Sequence, residues 1–232
     1  QFVFWRGRQE SYQALLKDVV AYMERPEPSD DEEVNAPNLH RLKILDVGAG
    51  NGWMSYSLSQ IGHQVAAVDL LINDADGLGA HIHYDLPLTI LQSEFDHLPF
   101  VDDQFDLVVF NASFHYAVDY RVTLQEAMRV TRPEGKVVIV DTPFYTDEEI
   151  GLQMVAERQR LYTKRYGFPS DAIPARYFLT SGWLDELAEG TGCSYQLIPV
   201  VAGWRRLVRR GKRLMRGERE AAEFPLILWR NG

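Results

Sequence analysis

The sequence predicts a doubly wound α/β fold: a mostly parallel sheet of seven strands, an antiparallel hairpin at its edge, and a helical cap inserted near the C-terminus. Three observations carry this expectation. Short apolar runs rich in Val, Ile and Leu recur along the chain, as strands buried on both faces of a parallel sheet require. Helix-like stretches alternate with several of these runs. The first run leads directly into "DVGAGNG" (46–52), with three glycines at alternate positions between a strand and a helix.

Taken in order, residues 9–24 place Tyr12, Leu15, Leu16, Val19, Val20 and Met23 at helical spacing, which predicts an amphipathic helix. The acid- and proline-rich "RPEPSDDEEVNAPN" (25–38) reads as an exposed linker. "LKILDV" (42–47), "QVAAVD" (64–69), "TILQSE" (89–94), "FDLVVFN" (105–111) and "KVVIVDT" (136–142) read as five strands. Helices are expected at 53–61 and at 119–131, with "TRPEG" (131–135) as the turn that stops the second. Between them, 71–88 is poorly periodic. A long helix is expected over 146–166, a loop over 168–182 and a further helix over 181–190. "SYQLIPVV" (194–201) and "EFPLILWRN" (223–231) then pair as the edge hairpin. The chain reads as one domain, 1–232: an N-terminal helix and linker (1–38), a ligand-binding core (39–142), a cap shaping the substrate pocket (143–192) and the hairpin with a basic insertion (193–232).

At 232 residues, 46% hydrophobic and 25% charged, the composition suits a globular domain with a sizeable core. No apolar run approaches the ~18 residues of a membrane span. The given sequence begins at Gln1 and shows no basic start followed by an apolar segment. A single cysteine, Cys193, leaves no internal disulfide and no cysteine zinc cluster, so a reducing, cytoplasmic setting is expected. The net charge of −9 hides an asymmetry: residues 205–219 hold eight Lys/Arg and one Glu, leaving sixteen basic against thirty-two acidic residues elsewhere. So acidic a body is a poor match for a duplex-binding protein.

The glycine loop follows a strand and opens a helix, and Asp69 closes the second strand 19 residues after Gly50. In an open α/β sheet the ligand lies at the carboxyl ends of the strands. A bare backbone there admits close approach, the helix start presents free amides, and a carboxylate accepts from a ribose diol. This is a nucleoside-cofactor pattern, and nicotinamide-binding folds share its generic form. The dinucleotide fingerprint, however, spaces its glycines as G-x-G-x-x-G, whereas here they stand at 48, 50 and 52 with bulky Trp53 following.

"ILDVGAGNG" resembles the first motif of class I S-adenosylmethionine-dependent methyltransferases, and four further segments extend the resemblance in order. "QVAAVDL" (64–70) is similar to the second motif, "SEFDHLPF" (93–100) to the third, "FDLVVFNASFHY" (105–116) to the fourth strand and its loop, and "EAMRVTRPEGKVVIVD" (126–141) to the helix, turn and fifth strand. They cover residues 40–142, about half of the chain, and resemble most the small-molecule members of the domain 11 type. The resemblance implies a Rossmann-like sheet that binds S-adenosylmethionine and releases S-adenosylhomocysteine. It places Asp46, Gly48, Ala49 and Gly50 at the cofactor, Asp69 and Leu70 at the ribose, Glu94 (or Asp96) and Phe95 at the adenine, and Asn111 at the methionine part. A regular helix follows the second strand in the family, and 71–88 departs from that.

Methyl transfer is an in-line displacement in which the enzyme mainly aligns the acceptor and excludes water. A base is needed where the acceptor must lose a proton. His115, just past the fourth strand, is the candidate, against the plain alternative of a histidine bonded within its loop. Tyr116 lies beside it, and Asp141 and Tyr145, at the same sheet edge, are candidates for orienting an acceptor. "DTPFY" (141–145) is superficially similar to the Asp-Pro-Pro-Tyr loop of nucleic-acid amino methyltransferases, but that loop follows the fourth strand, where this chain reads "NASF". "HIHYD" (81–85) has metal-like spacing without partner ligands and reads as a polar loop or short strand, so no metal is expected. The basic stretch 204–216 reads as a solvated helix, with an anionic membrane surface or RNA phosphates as alternative partners. The expected function is methyl transfer to a small-molecule acceptor. The alternatives are an RNA or lipid-associated methyltransferase, a nicotinamide-dependent oxidoreductase, and a non-catalytic module that binds the cofactor.

Overall fold

The computed structural model describes residues 2–24, 41–85, 88–170, 172–200 and 220–231. The expected linker (25–38) and most of the basic insertion, including 204–216, lie outside the described residues.

The first helix begins earlier than its periodicity suggests. α1 (Phe2–Leu15) runs into a π-helical turn, Leu16–Val20, and then α2 (Ala21–Met23). The wider turn carries Val19 and Val20 into the core beside Tyr12 and Leu15. β1 (Lys43–Val47) leads through the glycine loop into α3 (Trp53–Gln60), and β2 (Gln64–Asp69) follows. In the poorly periodic stretch, Asn73 Oδ1 accepts from the amides of Ala75, Asp76 and Gly77. A 3-10 turn, Leu78–His83, follows in place of a regular helix. β3 (Thr89–Gln92) and β4 (Phe105–Asn111) come next, and β4 ends in a second 3-10 turn, Phe114–Tyr116.

α4 (Tyr120–Val130) begins where Asp119 accepts from the amides of Arg121 and Val122, satisfying donors that a helix start leaves free. It runs straight into β5 (Thr131–Val140), so "TRPEG" is not a separate turn. Pairing with β4 jumps from Phe105↔Thr131 to Leu107↔Lys136, leaving 132–135 opposite Asp106 alone as a bulge. Arg132 and Asp106 form an ion pair there. A Cβ on Gly135 would meet the Asp106 carbonyl oxygen at 2.9 Å, so the bulge depends on glycine.

β6 (Phe144–Tyr145), α5 (Glu148–Tyr166), β7 (Leu179–Thr180), α6 (Ser181–Thr191), β8 (Ser194–Ile198) and β9 (Leu226–Arg230) complete the chain. β6 and β7 pair in parallel as a small second sheet. The main sheet has seven strands in the order β3-β2-β1-β4-β5-β9-β8. β1–β5 are parallel, while β9 runs antiparallel to both β5 and β8, as the edge hairpin requires.

Alternation along each strand fills two cores. Leu45, Val47, Val108 and Phe110 face Leu124 and Ala127 of α4 and Leu184 and Leu187 of α6. Ile44, Leu107 and Val109 face Tyr12 and Leu15 of α1 and Met54 and Leu58 of α3. Helices therefore cover both faces. Strand order reverses between β1 and β4, and the crevice outside their carboxyl ends is where such a sheet receives its ligand.

Candidate cofactor and acceptor sites

The loop after β1 is built around its glycines. Gly48, Gly50 and Gly52 have φ of 73°, 56° and 76°, the left-handed region that a Cβ makes costly. Gly48 is also hemmed in: a Cβ there would lie 2.4 Å from Ser113 Cβ and 3.1 Å from the Phe95 ring. The amides of Gly48 and Ala49 both donate to the Val68 carbonyl, at 2.8 and 3.0 Å. Gly50 donates instead to Asp69 Oδ2 at 2.7 Å, and Leu71 donates to Asp69 Oδ1 at 2.8 Å. One carboxylate thus shapes both loops and keeps a lone pair on each oxygen for a diol. The Trp53 ring meets Tyr12 edge-on at 5.3 Å.

Asp46 lies beneath this loop, wholly buried, with Oδ2 accepting from Ser55 Oγ at 2.6 Å and Oδ1 without a partner. Burial is the main force pushing its carboxyl up to about 6, with the Asp69 charge adding to it and the Ser55 hydrogen bond opposing it. Leu70 is exposed beside Asp69, continuing into exposed Leu71 and Ile72. Glu94 is exposed in a turn closed by Ser93 Oγ, which bonds the carbonyls of Glu94 and His97. Asp96 is engaged by His97 at 3.0 Å. Phe95 reaches back to Gly48 and packs edge-on against Phe110 at 5.9 Å. Asn111 ends β4 with a buried Oδ1 that has no partner. The next residue, Ala112, has φ of 55° and donates its amide to the Val140 carbonyl at 2.8 Å. A bare loop, a carboxylate with lone pairs to spare and an orphaned amide oxygen thus occur on adjoining strand ends. This is the donor and acceptor set that a ribose and an amino-acid tail require.

A second cluster forms at the ends of β4 and β5. His115 is buried, shares a 3.3 Å hydrogen bond with Thr142 Oγ1, and lies 4.3 Å from the Tyr116 ring. Burial is the main cause holding its imidazolium down to about 4, and the charges of Arg158 and Arg8 add to it, so the ring is neutral at pH 7. Asp141 has φ of 52°; its Oδ1 accepts from Ser11 of α1 at 2.5 Å, and its Oδ2 is buried without a partner. Burial raises its carboxyl pKa against the opposing Ser11 hydrogen bond and Arg8 charge. The His115 carbonyl accepts from the amide of Tyr177 at 3.2 Å. Tyr177, at φ of 66°, is held by its hydroxyl donating to Ile173 O at 2.7 Å. Tyr145 is buried on β6, its ring 5.8 Å from Phe178. Ser11, Ser113, Thr142, Arg158 and Tyr177 join these groups without any sequence signal of their own: each reaches the site through tertiary contact. Among the described residues no group of three or more His, Cys, Asp or Glu is placed to hold a metal ion.

Comparison with known proteins agrees with this geometry. Residues 45–139 match the family model described as a methyltransferase domain. The chain is 34% identical over 99 residues to the demethylmenaquinone methyltransferase of Corynebacterium urealyticum, covering 43% of this chain and 41% of that protein. It is 33% identical over 100 residues to a malonyl-[acyl-carrier protein] O-methyltransferase of Buchnera aphidicola, covering 42% and 38%. The chain thus spans about two fifths of the length of these curated relatives. The fold matches that of a putative sarcosine dimethylglycine methyltransferase from Galdieria sulphuraria, with a TM-score of 0.62 and 16% identity over 97% of this chain and 86% of that one. It also matches the PH0226 protein of Pyrococcus horikoshii, with a TM-score of 0.62 and 17% identity over 98% and 91%. Residues 45–139 thus match a methyltransferase domain, and the cofactor such domains imply is S-adenosylmethionine.

Proposed function

We propose that the protein transfers the methyl group of S-adenosylmethionine to a small-molecule acceptor. The observation that carries this reading is the pair of bonds by which Asp69, at the strand switch point, fixes the Gly50 and Leu71 amides. Gly48, Ala49 and Gly50 form the loop above Asp46; Asp69 and Leu70 form the ribose side, Glu94 and Phe95 the adenine side, and Asn111 the methionine side. S-adenosylmethionine supplies a methyl carbon on a cationic sulfur; the carbon–sulfur pair stays on sulfur, which leaves neutral. The chain's task is then to align an acceptor and, where the acceptor carries a proton, to take it up. His115, neutral at pH 7, is the proton acceptor in this reading, with Tyr116, Asp141 and Tyr145 positioning the acceptor.

Support for a small acceptor comes from the relatives, which by name act on demethylmenaquinone and malonyl-[acyl-carrier protein]. A nicotinamide-dependent reaction is disfavoured by the glycine spacing and by the methyltransferase-domain match. No helix among the described residues is long and apolar enough to cross a membrane, and a lone cysteine fits a reducing, cytoplasmic setting. Calorimetric titration with S-adenosylhomocysteine, run beside NAD, tests the reading. Micromolar binding of the former alone is expected; binding of NAD alone overturns it.

A further inference from the structure

On the acceptor side one guanidinium rests on aromatic rings rather than on a carboxylate. Arg158 stands mid-way along α5, half-buried, its guanidinium carbon 4.6 Å from the Tyr177 ring centroid and 5.9 Å from that of Tyr116. Among the described residues it forms no hydrogen bond and no ion pair; its neighbours are these two rings and His115. Arg129, by contrast, is paired with Glu126 and Asp102, and Arg132 with Asp106. Arg8, the second cation acting on His115, is opposed by Asp141, whose charged form it favours. Among the described residues, then, no carboxylate is paired with Arg158 beside the His115 cluster. A half-buried guanidinium gives up part of its hydration, and with its face on the rings its fork of N–H groups matches a carboxylate bidentately.

We propose that Arg158, carried on the rings of Tyr177 and Tyr116, docks a carboxylate of the methyl acceptor, so that the acceptor is a small carboxylic acid bound as its anion; this rests on the methyl-transfer reading above. The one positive charge that Arg158 carries matches a monoanion better than a phosphate dianion. The planar fork of guanidinium N–H groups meets two carboxylate oxygens, and no bond is made or broken in that contact. Tyr177 is itself pinned through its amide to the His115 carbonyl, so the anion site and the imidazole keep a fixed separation.

The test is calorimetry on the full chain saturated with S-adenosylhomocysteine, using matched probes: 4-hydroxybenzoate against 4-hydroxybenzamide, hexanoate against hexanamide, and phenyl phosphate. Wild type is expected to bind at least one carboxylate roughly tenfold or more tightly than its amide and more tightly than phenyl phosphate. R158A and R158Q lose that preference, R158K keeps part of it, and R160A, on the exposed face of the same helix, keeps all of it. S-adenosylhomocysteine affinity stays unchanged in every variant. A preference that survives in R158A and R158Q overturns the proposal. So does wild type that binds no carboxylate, that takes carboxylate and amide alike, or that prefers phenyl phosphate. Titrating S-adenosylhomocysteine by itself, and the probes in its absence, separates the two readings: failure of that nucleoside to bind sinks the cofactor assignment, while the Arg158-dependent preference is still scored.

Discussion

Asp69 and Gly50 meet across 19 residues of chain through a 2.7 Å hydrogen bond from the glycine amide to Oδ2. The other oxygen of the same carboxylate receives the Leu71 amide. The end of β2 thereby fixes the loop that follows β1, and any ligand between the two finds both walls held by one side chain.

Asp69→Asn puts an amide NH₂ where Asp69 accepts an N–H, setting donor against donor on one side and removing the charge that a diol prefers. S-adenosylhomocysteine affinity is expected to fall by roughly thirtyfold or more, with circular dichroism unchanged. Binding within threefold of wild type shows that Asp69 does not hold the ribose.

Gly48→Ala tests the crowding at the loop. The new Cβ meets Ser113 Cβ at 2.4 Å, and Ser113 cannot withdraw freely because its hydroxyl donates to Val47 O at 2.5 Å. Left-handed strain and overpacking together cost about 2–4 kcal/mol. Gly62→Ala, with φ of 103° and nothing within 4 Å of its Cβ, carries the backbone strain alone, about 1–2 kcal/mol. Urea unfolding should rank the two in that order; equal losses show that contact with Ser113 is immaterial.

Asp46 predicts an inverted pH dependence. Its folded carboxyl sits near 6 against an ordinary 3.8, so its contribution to stability is full at low pH and is lost as pH rises through about 6. Asp46→Asn should therefore gain on wild type between pH 5 and 8, by about 1–3 kcal/mol. His63 and His115, both held below their ordinary range, act in the opposite direction in both proteins. Subtracting the two stability curves isolates Asp46, and parallel curves refute the assignment.

His115 should titrate by proton NMR near 4, well below a free histidine. Its neutral form contributes stability that is full above about 6.5 and is lost as pH falls through about 4. The groups facing it are Thr142, Tyr116, Arg158 and Arg8, so Arg158→Ala, by removing one cation, should raise the midpoint. If His115 takes the acceptor's proton, the methylation rate stays flat from pH 6 to 8. A limb near 6.5 points to another group.

Legibility in the sequence follows the range of the interactions. β1, β2, β4 and the last half of β5 are buried on both faces and show as apolar runs, and the glycine–Asp69 spacing shows because it is fixed by one βαβ unit. The bulge at 132–135 does not show: its residues spell a turn, and only the partner strand with Asp106 keeps them in the sheet. The π turn at Leu16–Val20 fits the same periodicity as an ordinary helix. Ser11 lies 130 residues from the carboxylate that it serves, and Arg158 belongs to a helix whose apolar pattern is weak, so neither leaves a local mark. On the acceptor side the sequence marks only residues at or near the strand ends: His115, Tyr116, Asp141 and Tyr145.

The parallel register of β4 and β5 sets Asn111 beside Val140, so that Ala112 and Asp141 take the next step together, both with left-handed backbone. Neighbouring strands stand about 4.8 Å apart. In the proposed reading Asn111 serves the donor and Asp141 the acceptor, and the backbone thus acts as a ruler between the two reactants. Side chains above that ruler can be exchanged to admit a different acceptor without changing the gap that the methyl group has to cross.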